Sequence, residues 1–315
     1  MNILFRADSS STIGTGHIMR DLVLATQYKD ANITFVTQDL DGNINHKITE
    51  AGYNLVVLKS KVANSGCETN FPVNDIKELN KLIKKLNINL LVIDHYGIDY
   101  KFEKKLKFRN PKLKILAFDD TYLKHHCDIV LNHNISGDKK KYKGKVPKYC
   151  ELRCGSRYTL LREEFLQEMS KQYKKSKKQK TVFLAMGGAD HSNLNIKILK
   201  VLSEFKNIYI EVVTTNANKN INELKKYVKG KENILLHVNS NSIAKLMKKS
   251  DFAIVTPSVT VNEVYFMNIP FIAIQTASNQ YDMYKYLKNK KFLVLKKFNT
   301  KKLDRNISKI LKKVI

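Results

Sequence analysis

The sequence predicts an α/β protein of two tandem doubly wound, Rossmann-like domains, each built on a parallel sheet, with a ligand cleft between them. Three observations carry this reading. Short, continuously apolar segments alternate with segments of helical periodicity, as buried parallel strands covered by helices on both faces require. The alternation breaks at a charged, lysine-rich stretch and then restarts. The length of 315 residues suits two domains of ordinary size.

In the first half, Asn2–Ala7 reads as a buried strand and Ile18–Tyr28 as a helix. Ile33–Val36 and Asn54–Leu58 are strand-like. Ile76–Leu86 is an amphipathic helix, with Ile76, Leu79, Leu82, Ile83 and Leu86 on one face. Leu90–Ile93, Lys114–Phe118 and Ile129–Leu131 complete the strands. Residues 161–180 read as a charged, partly helical linker. The second half runs strand Thr181–Met186, helix Leu194–Phe205, strand Tyr209–Thr214, helix Ile221–Tyr227 and strand Ile234–His237. Helix Ile243–Met247 and strands Phe252–Val255 and Phe271–Gln275 follow. Thr300–Val314 is a helix with Thr300 as its cap. The division is 1–160 for an N-terminal domain, 181–298 for a C-terminal domain and 299–315 for a closing helix. No period of about 20–50 residues repeats, which excludes a solenoid.

Composition narrows the class. Hydrophobic residues make up 43% of the chain, with 12 glycines and 5 prolines, which favours packed domains over long disorder. No segment approaches the roughly 18 apolar residues of a membrane span. The first strand meets Arg6 and Asp8 too early for a signal peptide, so a cytoplasmic location is expected. The formal charge is +27, from lysines spread along the whole chain. No aromatic–basic RNA motif or zinc-finger spacing accompanies them, so they read as solvated faces and no specific nucleic-acid partner is expected. A diphosphate ligand would still profit from the positive field. Cys67, Cys127, Cys150 and Cys154 lack the paired four-ligand spacing of a zinc site even with His125 and His126 nearby, so reduced thiols are expected.

Ligands of doubly wound sheets bind where the strands end. The first strand runs into a loop holding Gly14, Gly16 and His17. The glycines let the backbone approach a ligand, and the helix start beyond them offers N–H groups to a phosphate. The spacing is neither the dinucleotide fingerprint, whose third glycine would fall at Met19, nor a P-loop. His17 suits a general base near neutral pH, or else an exposed or capping position at the helix start. No carboxylate partner for it stands out in the sequence. Gly187 and Gly188 make a second glycine turn between strand and helix. The segment from Thr256 to Glu263 opens a further helix after a strand. There Ser258 offers a hydroxyl to phosphate and Glu263, placed in the first turn, offers two acceptors to ribose hydroxyls. The alternative is an ordinary N-cap with a first-turn acid. Asn279 and Gln280 follow the next strand. Asp94, His95 and Tyr96, and Asp119 and Asp120, also end strands. Adjacent Asp119 and Asp120 point different ways if extended, which argues against a paired-carboxylate glycosidase. Histidines and carboxylates do not cluster as metal ligands, so neither metal nor other cofactor is expected.

Together these strings resemble two-domain nucleotide-sugar enzymes of the GT-B type, among them the peptidoglycan N-acetylglucosaminyltransferase. The nearer similarity is to the UDP-sugar hydrolases of pseudaminic acid biosynthesis, a route that serves flagellin glycosylation. It rests on Leu4-Phe-Arg6-x-Asp8-Ser9-Ser10, Ile13-Gly14-x-Gly16-His17-Ile18, Ile93-Asp94-His95-Tyr96-Gly97-Ile98, Cys150-Glu-x-Arg153-Cys154-Gly155, Arg162-Glu-Glu-Phe165, Met186-Gly-Gly-x-Asp190 and Val261-Asn262-Glu263. It runs to about Leu287 and is loose over Asn64–Asn74. The resemblance implies removal of UDP from a diacetamido-trideoxy-altrose, with His17 as base and Tyr96 nearby. It implies that Glu263 holds the uridine ribose and that Arg162 and Asn279 contact the ligand, and it places Asn262 in the same binding segment. UDP departs readily as an anion, so one base and the helix N-termini suffice without a general acid. Two rival readings are a GT-B glycosyltransferase with a UDP-sugar donor and a non-catalytic binder of anionic polymers.

Overall fold

Alternate residues of the first strand, β1 (Asn2–Ala7), are buried on opposite faces: Ile3, Phe5 and Ala7 join one core and Leu4 another. A strand buried on both sides must lie inside a sheet covered twice. The computed structural model describes residues 1–58, 76–174, 176 and 178–314, so Asn64–Asn74 with Cys67 lies outside the described residues. Two units are present, Met1–Leu160 and Leu161–Ile315.

In the first unit, β1 is joined by β2 (Asn32–Gln38), β3 (Asn54–Leu58), β4 (Leu90–Asp94), β5 (Lys114–Phe118), β6 (Ile129–Asn132) and β7 (Glu151–Cys154). All pairs are parallel, in the order β3-β2-β1-β4-β5-β6-β7. Helices α1 (Gly16–Ala25), α2 (His46–Glu50), α3 (Ile76–Lys85) and α4 (Tyr100–Arg109) connect them. The chain reverses its direction of travel across the sheet between β1 and β4. Such a switch point opens a crevice at the carboxyl ends of the two strands, and His17 follows β1 there while Asp94 ends β4.

The second unit repeats the plan with β8 (Lys180–Ala185), β9 (Ile208–Thr214), β10 (Ile234–Val238), β11 (Phe252–Val255), β12 (Phe271–Ile274) and β13 (Leu293–Leu295). Their order is β10-β9-β8-β11-β12-β13, all parallel, with the switch point between β8 and β11. Its helices are α5 (Glu163–Met169), α6 (Asn195–Leu202), α7 (Ile221–Val228), α8 (Ile243–Lys249), α9 (Val259–Phe266), α10 (Tyr281–Asn289) and α11 (Thr300–Val314). The charged stretch 161–180 carries α5, which buries Phe165 and accepts a hydrogen bond from α8: Lys248 Nζ donates to the Met169 carbonyl at 3.0 Å. Helix α11 sinks Leu303, Ile307 and Ile310 into the unit's core. Its cap is Asn299, whose side chain accepts from the Lys302 amide at 2.9 Å, rather than Thr300, which is already helical.

Some elements escaped the sequence pattern for local reasons. Helix α4 turns Glu103 inward with Leu106, so its buried face reads as charged. Helix α10 buries only Met283 and Leu287. Strands β7 and β13 lie at sheet edges, are short and are mostly half-buried.

Two buried charges differ in their support. Arg6 on β1 is fully buried and donates to Asp8 at 2.7 Å; Asp8 also accepts from the Gln38 amide at 2.7 Å and faces His95 Nε2 at 3.1 Å. Burial alone would raise the Asp8 carboxyl, but His95 and Arg6 outweigh it and hold it well below the usual carboxylate range. Asp21 on α1 is as deeply buried, yet neither carboxylate oxygen has a hydrogen-bond partner among the described residues. Burial and the nearby Asp94 charge push its carboxyl up. Asp8→Ala removes the carboxylate that the buried Arg6 donates to and that faces His95, at a cost of about 3–5 kcal/mol in urea unfolding at pH 7. A depressed carboxyl stabilises above its unfolded value and loses that contribution as pH falls through the folded one, so the gap narrows below about pH 4; a cost under about 1 kcal/mol would show that the pair is dispensable. Asp21 has the opposite sign: its raised carboxyl stabilises least at high pH. Asp21→Asn therefore melts higher than the parent at pH 7, with the difference closing toward pH 4. A lower midpoint at pH 7 would mean that Asp21 is ionised and useful.

Candidate active site

The loop between β1 and α1 is shaped by short-range bonds. Ser10 Oγ accepts from the Thr12 amide at 3.2 Å and the Ile13 amide at 2.9 Å, and the Gly14 amide returns to the Ser10 carbonyl at 2.8 Å. This turn needs Gly14 at φ +85°, where a side chain would be strained. Nothing lies within 4 Å of where a side chain on Gly14 or Gly16 would begin, so this backbone faces open space. Helix α1 starts at Gly16 with no side-chain cap and no acid in its first turn, which leaves its positive end free for an anion.

His17 is 8% exposed and does have a carboxylate partner. Its Nδ1 lies 2.6 Å from Asp94 Oδ1. Asp94 comes from a strand neighbouring β1 in space but remote in sequence, so the expectation of an unpartnered histidine is corrected by strand order. Arg20, one turn along α1 from His17, grips the same carboxylate: Nε to Oδ2 and Nη2 to Oδ1, both at 2.5 Å. Burial would raise the Asp94 carboxyl, but Arg20 and then His17 overcome it and keep Asp94 ionised. With Nδ1–H donated to Asp94, the free lone pair of His17 is on Nε2, the arrangement of a supported general base.

Further groups surround this pair. The Tyr96 ring stands edge-on to His17, with centroids 5.1 Å apart, and its hydroxyl donates to Asp120 at 2.9 Å. Tyr96 is 47% exposed, and partial burial followed by the Asp120 charge pushes its hydroxyl up, so it stays protonated. Arg20 Nη1 also faces Asp120 Oδ2 at 3.7 Å, and the guanidinium lies 4.9 Å over the Phe118 ring. His133, after β6, packs its ring against Phe118; burial and Arg20 lower it to about 3, so it is neutral. Asp119 indeed points away from Asp120, accepting from Thr121 and Leu123 and facing His125. Burial would lower His125, but Asp119 and Glu103 push it up to about 10. Arg20 and Asp120 were not singled out as site residues from the sequence; an arginine one turn beyond the histidine was the available signal.

At the switch point of the second unit, Gly187 and Gly188 turn tightly against the end of β9. A side chain on Gly188 would meet Thr215 at 2.9 Å. The Asp190 carboxylate accepts from the Leu194 and Asn195 amides, each at 2.9 Å, so this helix start is already occupied by the chain's own anion, unlike α1. Ser258 is the N-cap of α9 and its hydroxyl lies 3.0 Å from Thr256 Oγ1. Asn262 is fully buried. Glu263 lies in the second turn of α9, not the first, because the helix begins at Val259. Arg162 Nη2 donates to Glu263 at 3.1 Å and Nη1 faces Glu164 at 2.6 Å. Burial raises the Glu263 carboxyl against the pull of Arg162. Asn279 is exposed just before α10. The structure thus brings His17 to Tyr96 and Arg162 to Glu263, while Asn279 lies in the short turn Ser278–Gln280 between β12 and α10.

Among the described residues, no three or more His, Cys, Asp or Glu side chains are arranged to hold a metal ion. Asp39 and Asp41, after β2, serve turn hydrogen bonds with Asn43 and Ser11. Cys127 and Cys150 are free thiols with Sγ atoms 3.8 Å apart, so the close pair is not Cys150 with Cys154. No helix among the described residues is long and apolar enough to cross a membrane.

No protein-family model matches the chain. It is 40% identical over 298 residues to the UDP-2,4-diacetamido-2,4,6-trideoxy-beta-L-altropyranose hydrolase of Campylobacter jejuni, covering 95% of this chain and 100% of that one. In structure it is similar to MurG of Acinetobacter baumannii, with a TM-score of 0.67 at 10% identity over 100% of this chain and 92% of that one. It is also similar to the spinosyn rhamnosyltransferase SpnG complexed with thymidine diphosphate, with a TM-score of 0.68 at 11% identity over 99% and 92%. These likenesses identify the fold as GT-B-like, and the sequence identity decides the family. The chain belongs to the family of the UDP-2,4-diacetamido-2,4,6-trideoxy-beta-L-altropyranose hydrolase.

Proposed function

We propose that this chain hydrolyses the UDP-sugar for which its Campylobacter relative is named, at the anomeric C–O bond. The observation that carries the reading is His17 with Nδ1 engaged by Asp94 at 2.6 Å, which leaves Nε2 as the base. Nε2 takes a proton from water as the water oxygen bonds to the anomeric carbon. The bond from that carbon to the diphosphate oxygen breaks, and UDP leaves with the electron pair. Attack opposite the leaving group inverts the anomeric centre. The imidazolium that forms is stabilised by Asp94. No acid is needed because the leaving group is a stable anion, and the uncapped start of α1 suits that developing charge. The nucleotide falls to the second unit: Gly187, Gly188 and Ser258 for the diphosphate, with the buried Asn262 supporting that segment, and Glu263 for the ribose hydroxyls. Arg162 fixes the Glu263 carboxylate for that task, and Asn279 completes the contacts.

His17→Ala lowers turnover by about 10²–10⁴-fold, while UDP affinity measured by calorimetry stays near the parent value; a near-normal rate would remove His17 from the mechanism. In ¹⁸O-water the label enters the free sugar and UDP stays unlabelled. Label in the nucleotide, or UMP as product, would place the attack on phosphorus instead, and release of UDP only with an added acceptor would make the protein a transferase. Glu263→Ala weakens UDP binding by about tenfold or more and changes kcat at saturation much less. A fall in kcat with KM unchanged would rule out the ribose contact.

A further inference from the structure

The ion cluster under His17 holds more than one carboxylate, and its charge sum is uneven. The groups facing it come from three strand ends and one helix. From α1 come Arg20, cationic, and Asp21, whose carboxyl burial and Asp94 push up. From the end of β4 come Asp94, ionised, Tyr96, protonated, and His95, which is turned onto the Arg6–Asp8 pair at 3.1 Å. From the end of β5 comes Asp120, and from the end of β6 His133, neutral. Arg20 makes two 2.5 Å bonds to Asp94, and its positive charge offsets part of the field that Asp94 exerts on His17. A carboxylate shared with a guanidinium stabilises a new imidazolium less than an unshared one would. Asp120 touches the same guanidinium at 3.7 Å and, through Oδ1, the Tyr96 hydroxyl at 2.9 Å.

We propose that Asp120 is a positioning residue of the hydrolysis: it holds Tyr96 beside His17 and, across Arg20, restores the negative charge that lets His17 accept a proton. The inference rests on the hydrolase reading given above. With Asp120 ionised, Arg20, Asp94 and Asp120 sum to one negative charge before reaction and to none once His17 is protonated. The proton from water therefore neutralises the site rather than charging it. The same carboxylate fixes the tyrosine ring edge-on to the imidazole, with centroids 5.1 Å apart.

The test compares Asp120→Asn, Asp120→Glu and Tyr96→Phe in the full chain. Asn keeps an acceptor for Tyr96 and removes the charge. The expected result is a kcat lower by about tenfold and an acid limb of kcat/KM moved to lower pH by about half a unit to one unit. The His17 ring resonance, followed by NMR without substrate, titrates at lower pH than in the parent. Asp120→Glu restores both, and Tyr96→Phe lowers kcat without moving the acid limb. Circular dichroism checks that each variant is folded. A folded Asp120→Asn protein with the parent's NMR titration and pH profile would overturn the proposal. If the parent releases no UDP from the UDP-sugar, the hydrolase reading fails by itself, and the NMR titration still decides whether Asp120 sets the charge at His17.

Discussion

The Asp94 carboxylate, shared between His17 and Arg20, is the contact on which the first unit's chemistry depends. It sits on the last residue of a fully buried strand, 1% exposed, where an unpaired charge would be very costly. Two donors one turn apart on the same face of α1 meet that cost together. In doing so they fix the rotation of α1 over the sheet and the tautomer of the imidazole. The helix is thus oriented by the same interaction that prepares the base.

That arrangement is possible because of the switch point between β1 and β4. A helix leaving one strand and a carboxylate ending its neighbour converge only where the connections diverge to opposite sides. The second unit has the same geometry between β8 and β11, with a different chemical content. Its helix start at α6 is already capped by Asp190, and its acid, Glu263, is held by Arg162. One unit presents a base and an open helix end; the other presents a carboxylate arranged as a hydrogen-bond acceptor.

Below the strand ends lie ionic groups that only shape the loops. Arg6, Asp8 and His95 tie the ends of β1 and β2 to the turn carrying Tyr96. Glu103, His125 and Asp119 do the same for the turn after β5, where Asp120 projects toward Arg20. Each set is held by ion pairs and hydrogen bonds at or near the core, so these turns can present polar side chains with little freedom.

The sequence alone determined the α/β class, most of the strands and the restart of the pattern in a second unit, because strand burial and helical periodicity are local properties. It also pointed to the glycine loop, His17, Tyr96 and the segment at Glu263, all of which stand at strand ends. It missed α4, because the inward Glu103 makes a buried face look solvated, and α10, which buries too little to show a period. It placed Glu263 one turn too early, since a helix start is defined by a cap geometry that composition does not fix. The partner of His17 was beyond its reach. Asp94 is 77 positions away and becomes a neighbour only because β4 enters the sheet beside β1. The roles of Arg20 and Asp120 follow from the same fact: a hydrogen-bonding partner is chosen by the order of strands in space, which no local pattern of residues encodes.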